Sequence, residues 1–422
     1  MYLVQKNHLR VNKAEYKILR QLTRLSKNLY NQTLFTLRKY YVENGKYLRY
    51  EEAYHLIKSI ENYRMLPSQV AQQTMRIVDN NMKSFFVLLR TRKKENYNGL
   101  IRLPNYLPKD GYFLCKFQKD MVKVEGERGD VVRLSLGRYF SKEIGVRYLR
   151  YKLPPFLVGK TIKEVRILPR CKGLYFEIEY VYLDEPEKPE LDENKHMSID
   201  LGLSNFTTCV STNGTAFIIE GKGLKSFNRW WNKRKAKIQS VYDKQGIKMG
   251  KKMAQLSKKR KNVINNYMAQ AVNYITKHCL SEKIGNIAIG ELKEIKQNMN
   301  LGKKNNQNFH HLTYGLFKQK LKSKCEYYGI KYIEIHEAYT SQTCSGCGIV
   351  KKSNRNHRGL YVCKNCRTVL NADVNGALNM MKKVVGESTR IPDSGRVNRP
   401  VRIRLAHLKR QTLHATPSIR VG

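Results

Sequence analysis

The sequence predicts a multidomain α+β protein: a helical lobe set into a small β-barrel, then an α/β domain carrying an inserted metal-binding ribbon. Three observations predict it. Apolar residues at helical spacing, beginning with a leucine stripe, run from 14 to about 95; short β-like runs broken by Gly and Pro replace them; strands then alternate with helices on either side of a four-cysteine motif.

Charge narrows what such a chain does. Its 80 Lys and Arg against 34 Asp and Glu give a formal net charge of +46 over 422 residues. That is far beyond what solubility needs, and a compact fold with this self-repulsion calls for a polyanion. Nucleic acid is the expected partner, which leaves ribosomal, histone-like and nuclease roles open. Hydrophobic residues at 41% and aromatics at 10% argue against a largely disordered chain. The N-terminus lacks a basic stretch followed by an apolar core, and no apolar run reaches the roughly 18 residues that span a bilayer. A soluble, cytoplasmic protein that makes no membrane contact and joins the nucleoid when on DNA is expected.

After a first strand (residues 1–4), Leu19, Leu22, Leu25, Leu29, Leu34 and Leu37 recur at three- to five-residue steps, and Asn44-Gly45 closes that helix. A second helix runs through Tyr54, Leu56, Ile57 and Ile60. Pro67 opens a third through Val70, Met75, Val78, Met82 and Phe85. This lobe spans 14–98. Its tyrosines (Tyr40, Tyr41, Tyr47, Tyr50, Tyr54) are expected between helices more often than on bases, and Gln72, Gln73 and Arg76 more often in solvent than on base edges. Residues 1–13 and 99–183 make the barrel, from runs such as Val131-Val132-Arg133-Leu134 and Tyr175 to Val181. Six acids and two prolines in residues 184–195 read as a solvated linker.

Downstream, strands at 196–201, 205–211 and 215–220 form a meander, a long helical region follows (about 225–281), and strands at 286–290 and 330–335 alternate with helices at 312–328 and 373–384. That order is the one an RNase H-like α/β domain uses. It occupies 196–340 and 369–385. Fifteen Lys or Arg stand against a single acid, Asp243, between Lys222 and Lys261, an excess of one sign that favours phosphate contact. Trp230 and Trp231 lie inside it, where packing of the helix start is the expected role. The tail, 386–422, has eight basic and two acidic residues and no sustained period; disorder, or order only on RNA, is expected.

Cys344, Cys347, Cys363 and Cys366 have the C-x2-C-x15-C-x2-C spacing with which two tight turns offer four thiolates to one structural Zn2+ in a ribbon spanning 341–368. Cys115, Cys171, Cys209, Cys279 and Cys325 are scattered singly, as buried reduced thiols usually are. Three carboxylates occupy related places: Asp200 at the end of the first strand of the α/β domain, Glu291 just past Ile287-Ala288-Ile289-Gly290, and Asp373 at the start of the last helix. Acids at those positions of one sheet converge. Their repulsion calls for cations, and two Mg2+, replaceable by Mn2+, satisfy it: Asp200 bridging, Glu291 and Asp373 each holding one side. His310-His311 reads as polar loop rather than ligand.

At these motifs the chain resembles the TnpB (OrfB) proteins of insertion sequences. The resemblance rests on Ser198-Ile199-Asp200-Leu201-Gly202-Leu203, Gly290-Glu291-Leu292-Lys293, Tyr339 through Gly348 (YTSQTCSGCG) and Asn371-Ala372-Asp373-Val374-Asn375. It is strong over 196–384 and matches only in layout before that. Two departures are Arg367, where Gly is usual, and Gly376, where Ala is usual. The resemblance implies a RuvC-like nuclease domain, a helical recognition lobe inserted in a wedge domain, and an endonuclease guided by a noncoding RNA, one protein copy per RNA. It also implies cleavage of double-stranded DNA beside a short transposon-associated motif, with pairing reading the target and side chains reading that motif. A miniature type V CRISPR effector would carry the same carboxylates and ribbon. A non-catalytic RNA-binding regulator of transposition would explain charge and zinc but not the three acids.

Overall fold

The structure, a computed structural model, describes residues 1–95, 99–186, 188–202, 204–291, 313–357, 359–386, 397 and 399–405. The chain divides into two units, 1–185 with 249–251 and 186–248 with 252–422.

In the first unit, β1 (Tyr2–His8) leads into α1 (Lys13–Asn44). Asn12 and Glu15 close a reciprocal cap at the start of α1, and Gly45 ends it at φ 63°, where a side chain would be strained. Leu19, Leu22, Leu29, Leu34 and Leu37 are buried as the stripe requires, against Val70, Met75, Val78 and Met82 of α4 (Ser68–Glu95). The second expected helix is two short ones, α2 (Tyr50–Ile57) and α3 (Glu61–Met65). Tyr47, Tyr50 and Tyr54 pack on this core, and the Arg76 guanidinium lies 4.7 Å from the centre of the Tyr50 ring.

The β-rich segment forms two antiparallel sheets. The first has the order β1-β7-β6-β2, with β2 at Cys115–Gln118, β6 at Ile162–Arg170 and β7 at Tyr175–Leu183. The second is β3-β4-β5, at Val122–Glu125, Val131–Ser135 and Tyr148–Lys152, with α5 (Arg138–Ile144) between its last two strands.

The second unit is built on a six-stranded sheet, β12-β11-β8-β9-β10-β15. β8 (Asp192–Leu201), β9 (Asn205–Ser211) and β10 (Ala216–Glu220) are the antiparallel meander; β11 (Ile284–Gly290) runs parallel to β8, and β12 (Lys331–Ile335) parallel to β11. Between them lie α6 (Lys222–Lys244), α7 (Lys251–Ser281) and α8 (Tyr314–Tyr328); the helical region expected at 225–281 is broken near Gly246, φ 64°. Met197, Ile199, Ile287 and Ile289 are buried on one face with Met268, Ile275, Phe317 and Leu321 of α7 and α8. The other face carries α9 (Ala372–Val385): Val374 and Ala377 pack with Val210 and Ala216, and the Ser198 hydroxyl donates to the Ala377 carbonyl at 2.7 Å.

Two expectations are corrected. The acidic stretch to 195 is not all linker: β8 starts at Asp192, because Asp192 N–H donates to Lys283 O and the residue pairs with Ile284, so the first acids of the strand extend the sheet. The tail is not wholly without structure: Val397 is buried, and Val401–Ile403 adds β15 parallel to β10, drawn in by the unpaired edge of that strand. Residues 387–396, 398 and 406–422 of the tail, and His310-His311, lie outside the described residues. Trp231 is buried, with its indole N–H on Leu256 O, as expected; Trp230 is 42% exposed beside Lys259. Four of the single cysteines are buried, and Cys171 is half-buried in a turn at φ 49°. Among the described residues, no helix is long and apolar enough to cross a membrane.

Candidate active site

The ribbon folds around its thiols. The Cys344 and Cys366 sulfurs are 3.6 Å apart, as are those of Cys347 and Cys363, and all four lie within 4.8 Å of one another. Tetrahedral zinc with Zn–S bonds of about 2.3 Å places its sulfurs about 3.8 Å apart, so the four residues fit that ion. Hydrogen bonds from Thr368 hold the Cys366 thiol down at about 6, which favours the thiolate a metal needs. Arg367, next to it, adopts φ 57°; the usual Gly would take that conformation without the roughly 1 kcal/mol a side chain costs there.

The ribbon is tied to α9 by asparagines one turn apart. Asn371 caps the helix, its side-chain oxygen accepting from the N–H groups of Asp373 and Val374. Asn375 accepts from Ser345 N–H and donates to Thr343 O at 2.7 Å, and Asn379 donates to Thr340 O and Thr343 O. The segment from Asn371 to Asn379 thus reads as a cap, an acid and two tethers, all positioned by the 3.6-residue turn.

Asp200 alternates with Ile199 and so faces α9 rather than the apolar side. Its carboxylate lies against Gly376: a Cβ there would stand 3.2 Å from Oδ2, closer than side chains normally pack. Glycine at this departure from the family pattern makes room for the acid. Burial, then the charges of Asp373 and Glu337, push the Asp200 carboxyl up to about 8, against a smaller pull from Arg355. Asp373, in the first turn of α9, is held at both oxygens, by Asn205 Nδ2 at 2.7 Å and Arg355 Nη2 at 3.1 Å.

Glu291 stands one residue beyond β11. The register Ile199↔Ile289 puts Gly290 beside Asp200, and Glu291 is fixed by its N–H on Ile335 O at 2.8 Å. Lys318 of α8, buried, donates to Gly290 O and to Glu334, both at 2.9 Å. The structure therefore brings Asp200 and Asp373 together, with Glu291 at the adjacent strand end. Among the described residues, only the four cysteines form a set of three or more metal-binding side chains close enough to share an ion. Leu203, Leu292 and Lys293 lie outside the described residues.

Sequence reasoning missed four polar neighbours. Glu337 fills the space over Gly290, where any Cβ would overlap its carboxylate. Its Oε1 is buried with no hydrogen-bond partner among the described residues, and burial pushes it up to about 7 against the charge of Lys318. Arg355, from the ribbon, and Asn205, from β9, grip Asp373, and Arg402 of β15 reaches Asn205 at 3.4 Å. Only Glu337 had a local signal, a carboxylate two residues beyond a strand.

The fold is similar to those of two solved proteins. It superposes on a Cas12f1 solved in complex with single-guide RNA and target DNA at a TM-score of 0.63 and 15% identity, over 87% of this chain and 83% of that one. It also superposes on the mini-RNA-guided endonuclease CRISPR-Cas_phi3 at 0.54 and 12% identity, over 93% of each chain. Residues 179–296 match the family OrfB_IS605, described as probable transposase, and residues 314–380 match the Cas12f1-like TNB domain. The chain is 27% identical to the CRISPR-associated endodeoxyribonuclease Cas12f1 of Sulfoacidibacillus thermotolerans, over 80% of this chain and 82% of that one. It is 24% identical to the TnpB-like protein ORF457 of Acidianus two-tailed virus, over 89% and 85%. The chain is thus similar both to TnpB-like proteins and to the Cas12f1 effectors, with its family-model matches confined to 179–296 and 314–380.

Proposed function

We propose that this protein is an RNA-guided DNA endonuclease. In this reading a noncoding RNA pairs with one strand of double-stranded DNA beside a short transposon-associated motif, one protein copy serves each RNA, and a RuvC-like site hydrolyses the phosphodiester. The observation that carries it is the juxtaposition of Asp200 and Asp373, with Asp200 held up at about 8: half-buried acids that raise one another in a chain of net charge +46 favour a cation site. The names of relatives agree, since Cas12f1 is an endodeoxyribonuclease and its solved form holds guide RNA and target DNA.

The donor set suits two Mg2+ or Mn2+, which when bound would activate water and stabilise the leaving oxygen. Asp200, Glu291 and Asp373 would hold them, and the Arg355 guanidinium, which donates to Asp373, would meet a phosphate. The N-terminal helices (14–98) would serve as recognition lobe, residues 1–13 and 99–183 as wedge, 196–340 and 369–385 as nuclease, and 341–368 as ribbon.

The test is reconstitution with the neighbouring noncoding transcript. Cleavage should need Mg2+ or Mn2+, should move when the guide segment is changed, and should vanish in Asp200→Ala, Glu291→Ala and Asp373→Ala while RNA binding stays. RNA-free protein cutting the same target equally well, or a cut site indifferent to the guide, would overturn the reading.

A further inference from the structure

The edge strand β15 touches the acidic site through a short relay. Asn205 faces Glu220 across the β9–β10 ladder, and its amide is bonded at both ends: Nδ2 donates to Asp373 Oδ2 at 2.7 Å, and Oδ1 accepts from Arg402 Nη1 at 3.4 Å. This arrangement fixes the amide. A carboxylate only accepts and a guanidinium only donates, so the nitrogen must face Asp373 and the oxygen Arg402. Glu220, its side chain 9% exposed, is flanked by Arg402 at 3.8 Å and Arg404 at 3.2 Å; among the described residues these are its only cationic partners. The strand pairing Phe217↔Val401, Ile218↔Arg402 and Ile219↔Ile403 sets both arginines at the end of β10.

We propose that Arg402 is a positioning residue of the nuclease centre, acting through Asn205 to hold Asp373 in the orientation in which its carboxylate receives metal, so that β15 is a working part of the site. The proposal rests on Asp373 being a metal ligand. Arg402 reaches Asp373 only through Asn205. Without it the Asn205 amide loses its second anchor, and Glu220 is left with Arg404 alone beside the amide that orients Asp373. Groups that orient a metal ligand typically change metal affinity by 10- to 100-fold when removed.

The test uses the full chain bound to its RNA and compares Arg402→Gln, Arg402→Lys and Asn205→Ala. Two quantities are read: Mn2+ affinity, from free Mn2+ by electron paramagnetic resonance, and the Mg2+ concentration that gives half-maximal cleavage. Arg402→Gln should weaken both by about 10-fold, Asn205→Ala by at least as much, and Arg402→Lys, which keeps a cationic donor, by less than about threefold. Melting temperature and RNA affinity should stay within error of wild type. A loss of melting temperature without a shift in Mn2+ affinity, or unchanged Mn2+ affinity in both Arg402→Gln and Asn205→Ala, would overturn the assignment. Failure of the wild type to cut with any guide would sink the proposed function instead, and the Mn2+ measurement would still decide the role of Arg402.

Discussion

Replacing Asp200 by Asn should stabilise the metal-free protein, and more so as pH rises. The folded protein keeps the Asp200 proton up to about 8, whereas the unfolded chain releases it near the ordinary 3.8. Between those values the unfolded state binds fewer protons than the folded one, so each pH unit costs the wild type about 1.4 kcal/mol of stability. The loss is absent below the unfolded value, accumulates through this window and levels off once the folded protein also ionises. Asn is neutral throughout and of nearly the same shape. Its advantage should therefore grow from about 1 to 2 kcal/mol near pH 5 to about 5 kcal/mol near pH 8. Urea unfolding of both proteins in EDTA, at pH near 5, 6.5 and 8, measures the difference directly, and titrating groups distant from Asp200 cancel in the comparison. Added Mg2+ should restore the wild type at high pH and leave the variant unmoved, since binding to the folded state alone raises stability. An advantage that is flat or shrinks with pH would mean that Asp200 is already ionised when folded, and the like-charge cluster would be refuted.

Replacing Cys363 by Ser should release the one zinc and unfold the ribbon, because structural zinc contributes roughly 10 to 16 kcal/mol to such modules; elemental analysis of the wild type finding no zinc would exclude the site. Asn379→Ala should leave the Thr340 and Thr343 carbonyls short of a donor, at a cost of about 1 to 3 kcal/mol, and slow cleavage while zinc content stays at one per chain. Loss of zinc in that variant would show that the tether holds the ribbon together rather than seating it on α9. Glu337→Gln removes a negative charge that raises Asp200, so the acid limb of the pH–rate profile should move to lower pH; a limb that stays put would detach Glu337 from the site.

The sequence carried the parts of this site whose signals are local. Cys-x-x-Cys spacing, carboxylates at the ends of apolar strand runs, and an acid after the Asn371 cap are all patterns within a few residues. The order of strands and helices along the second unit followed from alternation and from helical spacing. What escaped depends on contacts between distant positions. Arg402 meets Asn205, and Asn205 meets Asp373, across 197 and 168 positions of chain. β15 is three residues long in a segment without period, so nothing in Val401–Ile403 announces a strand until the bare edge of β10 is known. Glu337 looked like any loop acid because its meaning lies in Gly290, whose missing side chain leaves the space it occupies. Asp192 reads as linker in the sequence because its charge outweighs a pairing that only Ile284 reveals.

If Asp373 holds metal as proposed, the tethering of the cysteine ribbon to α9 would join two metal supplies with different memories. An ion held by four thiolates leaves slowly and records what the cell offered while the chain was folding; ions held by carboxylates exchange freely and follow the cytosol of the moment. Because Asn375 and Asn379 seat the ribbon on the helix that carries Asp373, the proposed function would let the slow supply decide whether the fast one finds its site formed. A chain made during zinc scarcity would stay idle after magnesium is abundant, until it is refolded or replaced.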